Sequence, residues 1–307
     1  MEGMEKRIVF MGSPDFAVPS LLALVEGWEV VGVVTQPDRP AGRGRKLQPS
    51  DVKILAQRLG LPVFQPYSLK DNIAVDQVRN LSPDVIVVAA FGQILKQDIL
   101  SMPPYGCVNV HASLLPRWRG AAPIQAAVLH DDISGVTIMK MNQGLDTGPI
   151  LSQRSLPIHK SMTAVELSDE LAKLGADLLV ETLPLYFKGS IEPFPQNEAE
   201  ATYAPKLEKA DGELDFNQPA EFLARQVRAY HPWPGSFSYI KGEQLKVFRA
   251  HVHDQQQSVP GKHYIVNEQP AWGTQHGLLV LDEVQMAGKT RLSGEAYLRG
   301  TQDWLDV

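Results

Sequence analysis

Asn109 and His111 stand two residues apart in the short apolar run Cys107-Val108-Asn109-Val110-His111, which reads as a β-strand. Side chains alternate along a strand, so these two share one face while Cys107, Val108 and Val110 lie largely in the sheet interior. A buried polar pair must be hydrogen-bonded or put to use, because an unpaired polar group is costly to bury. Imidazole also titrates close to neutral pH, which suits it to moving protons. A third candidate, Asp146, follows the strand Val136–Met141 in the loop Asn142-Gln143-Gly144-Leu145-Asp146-Thr147-Gly148-Pro149. An aspartate between glycines and a proline is by itself a turn-former. All three residues sit at the carboxyl ends of strands, however, where α/β proteins gather ligands, and that makes them a set.

The elements that must position this set read as an α/β fold. Arg7–Met11 is an apolar strand, followed by Gly12-Ser13-Pro14-Asp15, a helical pattern over Phe16–Val25 and a second strand, Glu29–Val34. That βαβ order calls for a parallel sheet. Asp84–Ala90 is continuously apolar, as in a central parallel strand buried on both faces. It runs into Phe91-Gly92-Gln93-Ile94-Leu95, an apolar turn that could line the pocket of a flat ligand. The first turn lacks the GxGxxG spacing, so no dinucleotide is implied. Thr163–Phe187 has apolar positions at helical spacing and reads as an amphipathic helix on the sheet. A proline-rich irregular stretch follows, and beyond a helix at Ala220–Ala229 come short strands at Gly235–Ile240, Leu245–Val252, His263–Val266 and Leu278–Val284. Their spacing suggests a small β-barrel. The expected division is a catalytic domain over 1–189, a linker over 190–209 and a second domain over 210–307.

Composition narrows the function classes. The 307 residues carry 29 Lys and Arg against 35 Asp and Glu, a net charge of −6, so no global basic field advertises nucleic acid. Positive charge is instead local: the loop TQPDRPAGRGRKLQPS (35–50) holds Arg39, Arg43, Arg45 and Lys46. A long basic loop after a strand's carboxyl end points to a partner that bears phosphate. One cysteine excludes a disulfide framework and fits a reducing cytosol. The histidines show no metal-ligand spacing, and neither an apolar run of spanning length nor a signal peptide is present.

Asn109 and His111 followed by SLLPRWRGAAP, with Asp146 in QGLDTGP, resemble the active site of the folate-dependent formyltransferases. The opening FMGSPDFAVPSL, the loop from Thr35 and RAYHPWPGSF (228–237) look like the branch of that family that acts on methionyl-tRNA. The resemblance covers nearly the whole chain. It implies a Rossmann-like parallel-sheet formyltransferase domain, then an OB-like β-barrel that binds tRNA. The implied reaction moves the formyl group of 10-formyltetrahydrofolate to the α-amine of methionyl initiator tRNA, in the cytoplasm, with no metal and no membrane.

By the same resemblance, Asn109 and a protonated His111 would donate hydrogen bonds to the tetrahedral oxyanion. Asp146 would favour the charged imidazolium and order a water that relays the amine proton. Ser113, Leu114, Leu115 and Pro116 would hold the folate, with Phe91, Ile94 and Leu95 flanking the pterin. Arg43, helped by Arg45, Lys46 and Arg39, would meet the tRNA acceptor end. Nothing asks for more than a monomer. Two departures stand out: the family usually has tyrosine and proline where this chain has Phe91 and Lys96. From Glu208 to Val307 there are also ten lysines and arginines against thirteen acids, although a basic face toward tRNA is expected there. Three alternatives remain open at this point: formyl transfer to a small amine, hydrolysis of the formyl donor, or a non-catalytic binding module on the same fold.

Overall fold

A computed structural model describes residues 6–41, 44, 46–301 and 304–306. The chain's contacts divide it into two compact units, one of 1–123, 133–157 and 168–204, the other of 124–132, 158–167 and 205–307.

The first unit is built on a seven-stranded sheet. Its spatial order is Ile150–Pro157, Ile133–Lys140, Cys107–His111, Val85–Ala89, Arg7–Gly12, Glu29–Val34 and Val63–Phe64. The last five pair in parallel, and Ile133–Lys140 runs antiparallel to both of its neighbours, Cys107–His111 and the edge strand Ile150–Pro157. The apolar run at 85–89 sits, as its composition requires, fully buried in the middle of the sheet. Parallel register aligns Gly12 with Ala89 and Val88 with Asn109, so three strands end on one edge. From Arg7–Gly12 the chain moves outward to Glu29–Val34 and later returns to Val85–Ala89 on the opposite side. The crevice for a ligand therefore opens beside Gly12 and Ala89. Gly12 has to be glycine there: a Cβ would lie 2.8 Å from that of Ala17 and 2.9 Å from the Ala89 carbonyl.

Local signals explain the helix starts. Ser50 accepts from Lys53 N–H at the head of Asp51–Arg58, and Asp71 from Ile73 N–H at the head of Asn72–Asn80. Within the basic loop, two described segments that read as irregular, Arg39–Ala41 and Lys46–Gln48, pair as an antiparallel ribbon. The irregular stretch after the helix Ala164–Phe187 lies on the first unit. Phe194 bridges Ile150, and Tyr203–Ala204 pairs in parallel with Arg119–Gly120.

The second unit is an OB-like β structure. Its strands lie in the order Ser236–Ile240, Glu243–His253, Leu278–Met286, Gln269–Gly273 and His263–Val266, with Leu292–Ser293 paired to Leu278–Met286. The strand Gln269–Gly273 escapes a sequence reading because Pro270 and Gly273 look like breakers. It forms because Asn267 and Glu268 both take positive φ (47° and 62°), the geometry of a tight two-residue hairpin turn. The helix Ala220–Ala229 lays Leu223, Ala224 and Val227 on a core that contains Trp272, Leu279, Leu281 and Trp304.

His263 is buried in this unit and stacks on Trp304 with 4.1 Å between ring centres. Its Nδ1–H donates to the Trp304 carbonyl at 2.6 Å. Burial holds this imidazole below its ordinary value of 6.5, against the smaller upward pull of that carbonyl. The unfolded chain therefore takes up the proton more readily than the fold does. Stability is full above pH 6.5 and falls as pH drops from there through the lower value in the fold. Urea midpoints of the wild type should decline between about pH 7.5 and 5.5 more steeply than those of His263→Gln. Equal slopes would show that this histidine contributes nothing.

Candidate active site

The strand Cys107–His111 is buried along its whole length, with Asn109 9% and His111 6% exposed at its carboxyl end. Asn109 is registered between Val88 and Met139 on the neighbouring strands. Among the described residues its carboxamide has no hydrogen-bond partner. An amide so placed is a donor left for something that enters the crevice. His111 is more tightly held. Its Nε2 lies 3.1 Å from the Trp118 carbonyl, which can only accept, so Nε2 carries the proton. Its Nδ1 faces the Asp146 carboxylate at 3.8 Å, too long for a hydrogen bond but within reach of an ion pair once the ring is charged.

Asp146 is brought there by two loops. The residue itself takes a left-handed backbone conformation (φ +52°), which aspartate tolerates better than most side chains. Gly120 N–H donates to its carboxylate at 2.8 Å. Gly120 has φ +117°, and a Cβ at that position would lie 2.7 Å from the Ala204 carbonyl. Glycine is thus needed both for the conformation and for the close approach.

The segment 113–119 is fastened from beneath. Thr137 Oγ1 donates to the Ser113 carbonyl at 2.6 Å and accepts from Leu115 N–H at 3.0 Å. Gln153 Nε2 donates to the Leu115 carbonyl at 2.8 Å, and Ser113 Oγ to the Arg117 carbonyl at 2.6 Å. Ser113 and Leu115 are buried, whereas Leu114 and Pro116 are part-exposed and form the surface a ligand could touch. The apolar turn splits in the same way. Phe91 and Leu95 are buried in a core with Met11, Val34 and Ile86, while Ile94 is 82% exposed. The Phe91 carbonyl accepts from Gln36 Nε2 at 3.1 Å, which ties this turn to the start of the basic loop. Arg39 is exposed and donates from Nη2 to Gln36 Oε1 at 2.9 Å; Lys46 is exposed opposite Ala41. Arg43 and Arg45 lie outside the described residues.

Several contributors had no signal in the sequence. Ser13, Thr35 and Ser50 hydroxyls join at 3.2 and 2.7 Å across three loops, although each looks like an ordinary turn residue in the chain. Arg119, in the RWRG run, is fully buried against Gln196 and Glu198. Cys107 is inert in this setting: burial pushes its thiol up to about 12. Among the described residues no group of three or more histidines, cysteines or acids is arranged to hold a metal ion, and no helix is long and apolar enough to cross a membrane.

The arrangement suits attack on a carbonyl-type carbon. It offers a free amide donor, an imidazole that can donate, and a carboxylate that can order a water. Comparison with known proteins agrees with this reading. Residues 6–183 match the formyl transferase family model and residues 206–302 that of the formyl transferase C-terminal domain. A methionyl-tRNA formyltransferase of Pelobacter propionicus is 47% identical over 96% of this chain and 93% of its own length. Among solved structures, an N-formyltransferase from Helicobacter canadensis, crystallised with folinic acid and dTDP-3-aminofucose, superposes with a TM-score of 0.66 at 18% identity. It covers 91% of this chain and 99% of its own. A variant of HypX from Aquifex aeolicus gives 0.62 at 19% identity over 97% of this chain, which spans about half (49%) of the HypX chain. At those identities the two structures speak for the fold alone. The family matches on both halves and the near full-length similarity are decisive: this chain belongs to the formyl transferase family.

Proposed function

We infer that this chain transfers the formyl group of 10-formyltetrahydrofolate to the α-amino group of methionyl initiator tRNA, giving N-formylmethionyl-tRNA for translation initiation. One observation carries the reading. His111 and Asp146 face each other at 3.8 Å, with Asn109 two residues earlier on the same strand, in a chain whose relative at 47% identity is named for that activity.

The residues suit the steps. The amine lone pair forms a C–N bond to the formyl carbon, and negative charge develops on the formyl oxygen. Asn109 supplies one donor to that oxygen. His111 supplies a second when Nε2–H exchanges the Trp118 carbonyl for the oxyanion, a stronger acceptor. Asp146, on the Nδ1 side of the ring, balances the imidazolium and orders a water that accepts the amine proton and delivers it to N10. The bond from carbon to N10 then breaks, the carbonyl re-forms, and tetrahydrofolate leaves.

Donor and acceptor engage different parts of the site. Folate packs on the turn Ser113–Pro116 and on the backbone of 91–95, with Ile94 as its exposed apolar contact. Phe91 and Leu95 support that turn from the core side. The basic loop, with Arg39, Arg43, Arg45 and Lys46, meets the phosphates of the acceptor end, and the second unit (210–307 by the sequence division) adds further RNA contacts. All three reacting residues come from one chain, so a monomer suffices. A single buried cysteine suits the cytoplasm.

Replacing His111 with alanine should lower kcat for methionyl-tRNA formylation by about 100- to 10,000-fold, and Asp146→Asn should cost a comparable factor. Both should leave the folate KM within a few-fold; unchanged kcat in either variant would remove that residue from the mechanism. Arg43→Ala should raise the tRNA KM and lower the slope of log affinity against log salt by about one, with the folate KM unaffected. A salt slope equal to that of the wild type would remove the loop from the RNA interface.

A further inference from the structure

Asp146 is fixed at its carboxylate by Gly120, but its backbone is held by a residue fifty positions downstream. Gln196 Nε2 donates to the Asp146 carbonyl and to the Gly148 carbonyl, both at 2.7 Å. Gln196 Oε1 accepts from Arg119 Nε at 3.1 Å and from Nη2 at 2.8 Å. The carboxamide therefore uses both protons and accepts twice, and its orientation is unambiguous. Turning it over would set its NH₂ against a guanidinium and its oxygen against two carbonyls.

The guanidinium is fixed in turn. Arg119 is fully buried and bonds the Glu198 carboxylate through Nη1 at 2.9 Å and Nη2 at 2.7 Å, a bidentate pair. Glu198 raises the Arg119 guanidinium above its ordinary value, and Arg119 holds the Glu198 carboxyl below the usual range. Residue 119 also precedes Gly120. The dipeptide Arg119-Gly120 thus reaches Asp146 twice, at the carboxylate through a backbone N–H and at the carbonyl through Gln196.

We propose that Gln196, oriented by Arg119, is a positioning residue for formyl transfer: it holds the backbone of the Asp146 loop so that the carboxylate stays in reach of His111. The proposal rests on the role given to Asp146 under the proposed function. The loop needs such a hold, because Asp146 has positive φ and the residues before it, from Asn142 to Leu145, are exposed. Without Gln196 the two carbonyls at 146 and 148 lose these donors, and among the described residues the carboxylate is left with the Gly120 N–H at 2.8 Å and the His111 ring at 3.8 Å. A misplacement of about 1 Å at a reacting centre can cost on the order of 100-fold in rate.

The test uses the full-length enzyme with Gln196→Leu, and with Gln196→Met if leucine is not tolerated. Each is made in the wild-type and the Asp146→Asn backgrounds. In the wild-type background kcat for methionyl-tRNA formylation should fall about 10- to 100-fold, with both KM values within about threefold. In the Asp146→Asn background the same substitution should change kcat by less than about threefold, because its effect passes through Asp146. A general structural role would instead lower activity by the same factor in both backgrounds, and that result overturns the proposal. So does unchanged kcat in a folded Gln196 variant. Full activity of Asp146→Asn by itself is a separate result, which strikes the role of Asp146 and not the hold that Gln196 has on it.

Discussion

A single backbone hydrogen bond, from Gly120 N–H to the Asp146 carboxylate at 2.8 Å, joins the two loops that make the site. It can form only because residue 120 is glycine with φ +117°, pressed against the Ala204 carbonyl. That carbonyl also accepts from Ala121 N–H at 2.8 Å, so the strand Tyr203–Ala204 and the loop after His111 are fastened at one point. Asp146 is thereby set beside an imidazole whose other nitrogen is already committed to Trp118. The sheet supplies the fixed half of the arrangement, since Asn109 and His111 belong to a buried parallel strand and cannot drift. The loops supply the half that could drift, and the hydrogen bonds crowd around them.

Much of this was legible from the chain alone, for identifiable reasons. Val85–Ala89 has to be a central strand because nothing in it tolerates water, and Cys107–His111 announces its end by changing from apolar to polar residues. The expectation that Asn109, His111 and Asp146 all stand at the carboxyl ends of parallel strands describes only the first two. The strand before Asp146 runs antiparallel to theirs, and it is the loop after that strand that sets Asp146 beside His111. The long-range hydrogen bonds were not legible. Gln196 and Arg119 lie 77 residues apart and have no periodicity in common, so only the folded chain shows that they meet. Phe91 and Ile94 are both apolar and three apart, yet one is core and the other 82% exposed, because a turn has no face to predict from. The hairpin at Asn267-Glu268 went unseen for a related reason: positive φ at a glutamate leaves no compositional mark.

Under the proposed function, chemistry and recognition fall on different supports. The donors and the carboxylate lie within the first unit's sheet and loops, on rigid supports, where a small displacement would be expensive. The charges that suit a phosphate-bearing partner sit on the ribbon of Arg39–Ala41 and Lys46–Gln48, which ties back to the apolar turn through Gln36. In the second unit several cations are already neutralised within the unit. Arg225 pairs with Asp132 and Glu221, and Arg291 with Glu283.

Acceptor choice is the most direct measure of the account as a whole. Purified protein with 10-formyltetrahydrofolate would be offered methionyl initiator tRNA, an amino sugar-nucleotide, or water alone, and formyl transfer followed in each. The account predicts rapid transfer to the methionyl-tRNA, slower by at least about 1,000-fold to the sugar-nucleotide and to water, with the tRNA rate falling as salt is raised. Equal transfer to the small amine, or release of formate at the same rate without tRNA, would contradict it.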